Sequence, residues 1–254
     1  MTDIELRNQI SRYQWYHVVE VAPGISTPGY ENYIPIQRPV LEALRGLDLS
    51  GKRVLDIGCR DGLFSFEAER LGASEVIGID RNVSPGAIEF LAPHFRSRVQ
   101  FHEMNLLDLR PGSFGLFDIV IFAGVLYHLR YPFWALKLVR DIMSPAATVV
   151  VETAVFTVVE DWPLLCCPVG KESFYEPTSV TFFNTKGLVD TLTSLGIRTL
   201  RHSYLSDHQI PQDRATFVCQ RDLALDDLDT RRYWDGTQTN ELSRIRAGIG
   251  GTSS

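Results

Sequence analysis

The chain of 254 residues is poor in several things, and each shortage narrows what it can be. There are 4 cysteines, Cys59, Cys166, Cys167 and Cys219, two of them adjacent and none at metal-ligand spacing. Adjacent cysteines do not easily bridge each other, so free thiols, no metal and a reducing, cytoplasmic setting are expected. Nowhere do about 18 apolar residues run together, which argues against membrane insertion. The N-terminal stretch MTDIELRNQI is polar and acidic, unlike a secretory leader. Basic charge is also short: Lys and Arg number 25 against 31 Asp and Glu, a formal net charge of −6. Proteins that grip long nucleic acids by their phosphates usually carry a basic surplus, so a small molecule is the favoured partner and a nucleic acid the lesser one. The sequence does not fix an oligomeric state.

What is present is an alternation of short apolar runs with helical stretches. Residues 1–35 read as an N-terminal segment rich in aromatics, with a helix over roughly 3–13. Helical spacing resumes at Gln37, with Pro39 in its first turn. Strands follow at Lys52–Ile57, Glu75–Ile79, Val99–His102, Phe117–Ala123 and Thr148–Thr153, with helices over 63–71, 85–94 and 132–143 between them. A last helix over Thr185–Leu195, capped by Asn184 or Thr185, precedes two extended runs, Ile197–Tyr204 and Ala215–Gln220. Such alternation indicates a doubly wound, mostly parallel α/β sheet. The final gap of about ten residues is too short for a right-handed crossover, so the last strand should pair antiparallel. Residues 36–222 then form the main domain, 154–183 an insertion acting as lid or acceptor wall, and 223–254 a polar tail.

The strongest local signal is Val54-Leu55-Asp56-Ile57-Gly58-Cys59-Arg60-Asp61-Gly62 at a strand-to-helix turn. Ligands of open parallel sheets sit beyond the carboxyl ends of the strands. The spacing is D-x-G-x-x-x-G, not the G-x-G-x-x-G of phosphate cradles, so Asp56 would suit a cationic amino group better than a pyrophosphate. Asp80 closes the second strand 24 residues later, where a carboxylate accepts from both hydroxyls of a ribose. Arg81, Asn105, Leu106 and Ala123 lie along the same rim, and Gly124 brings Tyr127 and His128 toward the ligand's reactive end.

VLDIGCRDGLFSFEAERLGASEVIGID, followed by FDIVIFAGVLYHLRYPFWALKLVRDIM and VVVETAV, resembles the class I S-adenosylmethionine-dependent methyltransferases. Within them the chain is most similar to the branch containing the tRNA wobble-uridine carboxymethyltransferase, over about residues 45–200. The resemblance implies a Rossmann-like seven-stranded sheet and S-adenosylmethionine as cofactor. It also implies Asp56, Gly58 and Gly62 at the methionine part, Asp80 at the ribose and Tyr127 near the reactive end; Cys59, Arg81 and Ala123 are further candidate cofactor contacts, with Asn105 and Leu106 where the adenine edge would lie. Arg60 stands where a glycine is common. The lysine-bearing N-terminal portion that helps that enzyme recognise its carboxylated donor has no counterpart here, so ordinary S-adenosylmethionine is expected.

Methyl transfer to a hydroxyl needs a proton acceptor, and a histidine is the usual one. His128 is the first candidate and His17, in Trp15-Tyr16-His17, the second. Either could instead be structural, as His94, His102, His202 and His208 are read to be. Trp15, Tyr16, Trp162 and Tyr175 are candidate substrate contacts. The expected activity is O-methylation of a small-molecule, sugar or glycolipid hydroxyl. The alternatives are a tRNA-modifying methyltransferase and a non-catalytic S-adenosylmethionine-binding protein.

Overall fold

A computed structural model of the chain describes residues 1–157, 161–173, 175–205 and 213–225. Its centre is a sheet in which β1 (Arg53–Ile57), β2 (Glu75–Asp80), β3 (Gln100–Glu103), β4 (Phe117–Ala123) and β5 (Met143–Val155) run parallel. Two further strands, β6 (Ile197–Leu205) and β7 (Asp213–Arg221), complete it in the order β6-β7-β5-β4-β1-β2-β3. β7 is antiparallel to both of its neighbours, β5 and β6, as the short connection requires. The strand order reverses at β1, so the chain leaves β1 and β4 toward opposite sides and opens a crevice at their carboxyl ends.

Both faces of the sheet are buried, and the strands show why. Leu55, Ile57, Val120, Phe122, Val149 and Val151 point to one face, while Val54, Ile119, Ile121 and Val150 point to the other. Alternate residues of one strand therefore feed two separate cores, and the strands read as nearly continuous apolar runs. The labelled helices are α1 (Asp3–Ile10), α2 (Ile34–Arg45), α3 (Leu63–Arg70), α4 (Pro132–Asp141) and α5 (Thr185–Ser194). Helices α1, α2 and α3 cover the second face through Leu6, Val40, Leu44 and Ala68; α4 and α5 cover the first through Leu136, Val139, Leu188 and Leu192. Each such leucine or valine contributes about 1.5–3 kcal/mol of burial.

Several boundaries differ from the sequence reading. α1 ends at Ile10, although its start is fixed by a Thr2–Glu5 capping box. α2 begins at Ile34, because Pro35 rather than Pro39 occupies its first turn; Pro39 lies inside and forfeits one backbone hydrogen bond. The helix expected at 85–94 is a π-type turn over Ala87–Leu91 continued by Ala92–Phe95. β5 starts five residues before the expected Thr148. The 154–183 stretch carries a two-residue ribbon, Leu165–Cys166 against Phe182–Phe183, which joins the end of β5 through Val155 and Phe183. Residues 226–254 of the expected polar tail, with Phe174 and His208, lie outside the described residues.

Candidate active site

The turn after β1 is shaped by two glycines. Gly58 has φ +81°, and a Cβ there would lie 2.3 Å from Val125 Cγ2. Gly62 has φ +78°, caps α3, and a Cβ would lie 2.7 Å from the Phe101 ring. Between them Arg60 takes the left-handed conformation, φ 46°, at a cost of roughly 1–2 kcal/mol for a residue with a side chain. Two bonds offset that cost: its N–H donates to Asp80 Oδ2 at 3.1 Å, and its guanidinium donates to the Asn82 carbonyl.

Beyond this turn lies a cavity of about 400 Å³, set over the carboxyl ends of the central strands. Gly58, Asp80 and Arg81 line it from the first two strand ends. Asn105, Leu106, Ala123 and Tyr127 follow along the rim, with His128 beyond. From outside the sheet come Tyr16, His17 and Tyr175. Asp80 holds its neighbourhood with one bond per oxygen, from Arg60 N–H and, at 2.8 Å, from Asn82 N–H. Each carboxylate oxygen still has a free lone pair for a ligand hydroxyl.

Five residues expected at the site do not line the cavity. Trp15 is 7 % exposed, donates from Nε1 to the Ile10 carbonyl at 2.8 Å, and packs on Phe90 and Gly86; it anchors the N-terminal segment. Trp162 is 69 % exposed, with its carbonyl holding Asn184. Cys59 is buried under the turn beside Gly78, and Gly62 is walled off by Phe101 and Phe66. Asp56 lies beneath the turn, 1 % exposed, and accepts a hydrogen bond from Ser65 Oγ at 2.6 Å. Asp56 is expected from sequence to hold a cationic amino group directly or through water; at this depth it supports the turn from below, which leaves the water-bridged form of that reading.

Burial pushes the Asp56 carboxyl up to about 7, against the pull of the Ser65 hydroxyl. The native chain therefore keeps a proton that the unfolded chain releases at ordinary carboxylate pH. Below about pH 4 both states are protonated and nothing is lost; as pH rises toward 7, native stability falls, then levels. Asp56→Asn keeps an oxygen for Ser65 and removes this penalty. The variant should melt higher than the parent by a margin that grows between pH 5 and pH 8; a margin independent of pH would contradict the protonated carboxyl.

His128 ends a short turn, Leu126–His128, with its side chain 35 % exposed. Nδ1 lies 3.3 Å from the Thr178 carbonyl and Nε2 3.4 Å from Glu176 Oε1. Burial lowers its pKa in spite of both partners. The ring is a strut tying the turn to the 175–181 segment, whose Val180 and Thr181 N–H groups also bond the Tyr127 carbonyl.

Three groups that the sequence reading did not single out complete the site. Arg214, from β7, donates from Nε and NH2 to the two oxygens of Glu152, both at 2.7 Å, and from NH1 to Tyr175 Oη at 3.0 Å. Its guanidinium lies 4.5 Å from the Tyr127 ring centre, and both charged side chains are 3 % exposed. Glu152 stands opposite Thr216 in the ladder, so Arg214, two residues along, reaches it diagonally on the same face. The signal in the sequence was a lone acid in VVVETAV and a lone base before ATFVC. The third group is Asp61, fully buried, whose Oδ2 accepts the N–H groups of Tyr16 and His17, both at 2.6 Å. Burial raises its pKa, but the His17 and Tyr16 bonds outweigh this and leave it lowered.

The residues present fit a nucleoside sulfonium. Asp80 matches ribose hydroxyls, Leu106, Met104 and Ile79 give an apolar slot beside Asn105, and Gly58 and Gly124 leave room where a side chain would intrude. Among the described residues no helix is long and apolar enough to cross a membrane.

Comparison with known proteins agrees with this geometry. A family model described as a methyltransferase domain matches residues 33–184. The tRNA U34 carboxymethyltransferase of Campylobacter hominis is 34% identical over 111 residues, 42% of this chain and 38% of that protein. Its Helicobacter pylori namesake is 29% identical over 141 residues, 53% of this chain and 51% of that one. The chain thus matches about a third to a half of the length of these relatives. Among solved structures, the N-terminal domain of EvdMO1 with S-adenosylhomocysteine bound superposes with a TM-score of 0.64 at 19% identity, over 87% of this chain and 98% of that one. The Burkholderia thailandensis 1,6-didemethyltoxoflavin-N1-methyltransferase gives 0.60 at 16% identity, over 75% of this chain and 80% of that one. The fold is shared throughout, and the strand order, the glycine turn and the matched family place the sequence without ambiguity. The chain belongs to the methyltransferase-domain family, as a class I S-adenosylmethionine-dependent member.

Proposed function

We propose that this protein transfers the methyl group of S-adenosylmethionine to a hydroxyl of a small polar acceptor, such as a sugar, a glycolipid headgroup or a secondary metabolite. The observation that carries the reading is the cavity: at about 400 Å³ it is near the lower end of small-molecule sites, and its outer wall is built from Tyr16, Tyr33 and Tyr175. Aromatic walls stack on the flat or apolar faces of small acceptors and keep water from the reacting atoms. The bound cofactor supplies an activated methyl that already carries its leaving group. What the protein adds is alignment in a dry site, which can account for several kcal/mol of the barrier. Asp80 fixes the nucleoside end, the Gly58 and Gly124 backbones admit the chain between, and Tyr127, clamped by Arg214, forms the floor at the reactive end.

A tRNA acceptor is the second reading, favoured by the names of the relatives. The net charge of −6 weighs against it. Purified protein, S-adenosylmethionine and a small-molecule extract should together yield a metabolite about 14 Da heavier, while bulk tRNA stays unmodified. Methylated tRNA bound with steep salt dependence would transfer the assignment to the second reading. Absence of S-adenosylhomocysteine from every acceptor pool would leave a binding protein only.

A further inference from the structure

The N-terminal segment and the glycine turn meet at one point, His17 against Asp61. His17 is 6 % exposed and lines the cavity, and Asp61 is fully buried. His17 Nδ1 lies 3.5 Å from Asp61 Oδ2. That oxygen already takes two backbone N–H groups, but Asp61 Oδ1 has no hydrogen-bond partner, and neither has His17 Nδ1. A buried ring nitrogen with no other partner thus faces the buried carboxylate through Oδ2. An unpaired buried ring nitrogen is costly, whereas a proton on Nδ1 shared with Oδ2 of the carboxylate satisfies it. His17 Nε2 has no partner within the described residues and is not among the fully enclosed atoms. The titratable groups facing His17 are Asp61 from the turn and Tyr16 beside it, with Phe64 of α3 closing a third side.

We infer that His17 and Asp61 form the proton-accepting pair of the transfer, with His17 Nε2 receiving the acceptor's hydroxyl proton and Asp61 holding the imidazole in the tautomer that leaves Nε2 free. This rests on the methyl-transfer reading and narrows its acceptor to one with a protic nucleophile. In the step the acceptor oxygen bonds the methyl carbon, the carbon–sulfur bond breaks with its electron pair passing to sulfur, and the hydroxyl proton passes to Nε2. One cation disappears at sulfur as another forms on the imidazole, so the charge in the cavity is conserved and the imidazolium faces the Asp61 carboxylate. His128 is the poorer base, because a carbonyl and a carboxylate occupy the surroundings of both its nitrogens. Asp61 is a positioning residue: it also bolts the Tyr16–His17 backbone to the turn, so the histidine is placed and oriented by the same side chain.

Asp61→Asn is the informative variant. Its amide oxygen still accepts the two backbone N–H groups beside Nδ1, but without the carboxylate charge it holds the Nδ1 proton far less firmly. Nitrogen NMR of histidine-labelled protein should show His17 with Nδ1 protonated in the parent and a clearly larger Nε2-protonated share in Asp61→Asn. A parent with the proton on Nε2, or a variant with no change, overturns the pairing. In S-adenosylhomocysteine release with a small-molecule extract, His17→Gln should lose about 10²–10⁴-fold, the usual worth of a general base. Asp61→Asn should lose about 10–100-fold, the scale of outer partners that orient a histidine. Cofactor affinity by calorimetry should stay within about threefold in each, and added imidazole should restore part of the activity of His17→Ala, which a packing role would not allow. Full activity of His17→Gln in a preparation whose parent is active sinks this inference alone. A parent inactive with every acceptor pool sinks the methyl-transfer reading, and the base with it, while the NMR result still judges the pair.

Discussion

Replacing Arg214 with methionine should lower the stability of the folded chain by about 3–5 kcal/mol, the usual cost of removing one partner from a buried ion pair. For a domain of this size that is a fall of about 6–20 °C in Tm. The reason is what stays behind. Glu152 is 2 % exposed, and both of its oxygens are bonded to the Arg214 fork. Without the fork its carboxylate loses both charge-assisted bonds while still 2 % exposed, beside Tyr127 and Tyr175. Methionine fills much of the same length, so the loss is mostly electrostatic and little is added by a cavity. Adding Glu152→Gln to the same chain should recover most of the stability, because a neutral amide is far cheaper to bury than an unpaired charge. A single Arg214→Met variant that melts within 2–3 °C of the parent, a loss of about 1 kcal/mol, would mean that water reaches the pair through the cavity.

Asp80→Ala should have the largest effect on ligand affinity. A carboxylate that accepts from both hydroxyls of a ribose makes two charge-assisted bonds, each worth about 1.5–3 kcal/mol, so their loss weakens binding by about 10²–10⁴-fold. Part of that comes from the protein itself, since Asp80 also holds the N–H groups of Arg60 and Asn82. Calorimetric titration with S-adenosylhomocysteine reads the effect, with circular dichroism showing that the sheet persists. A folded Asp80→Ala variant that binds within threefold of the parent would place the nucleoside somewhere other than this cavity.

Much of the scaffold was legible before any coordinates. Buried parallel strands are continuous apolar runs, and the five of this chain alternate with helices in a way that admits few topologies. The antiparallel β7 followed from the length of one connection. The place of Asp80 was legible because it is set locally: it closes a strand beside a glycine turn. Asp56 was half legible, since the pattern placed it at a strand end but could not say whether its side chain pointed into the crevice or under the turn. Trp15 and Trp162 show the same limit for aromatics: one is wedged against Phe90, the other stands in solvent, and no periodicity in an irregular segment distinguishes them. Arg214 and Asp61 were missed because each acts on a partner far along the chain, 62 residues from Glu152 and 44 from His17. Such pairs are set by sheet register and by the path of the N-terminal segment, which local spacing does not encode.

The seat of β7 also fixes the order in which the protein can become competent during synthesis. β7 emerges after β6, yet it lies between β5 and β6 and is the sole strand beside β6 among the described residues. A nascent chain halted at residue 205 would have its nucleoside rim complete while β6 had no strand to dock on and the Glu152 carboxylate still needed water. Arrival of Asp213–Arg221 closes the sheet and delivers the guanidinium in a single event.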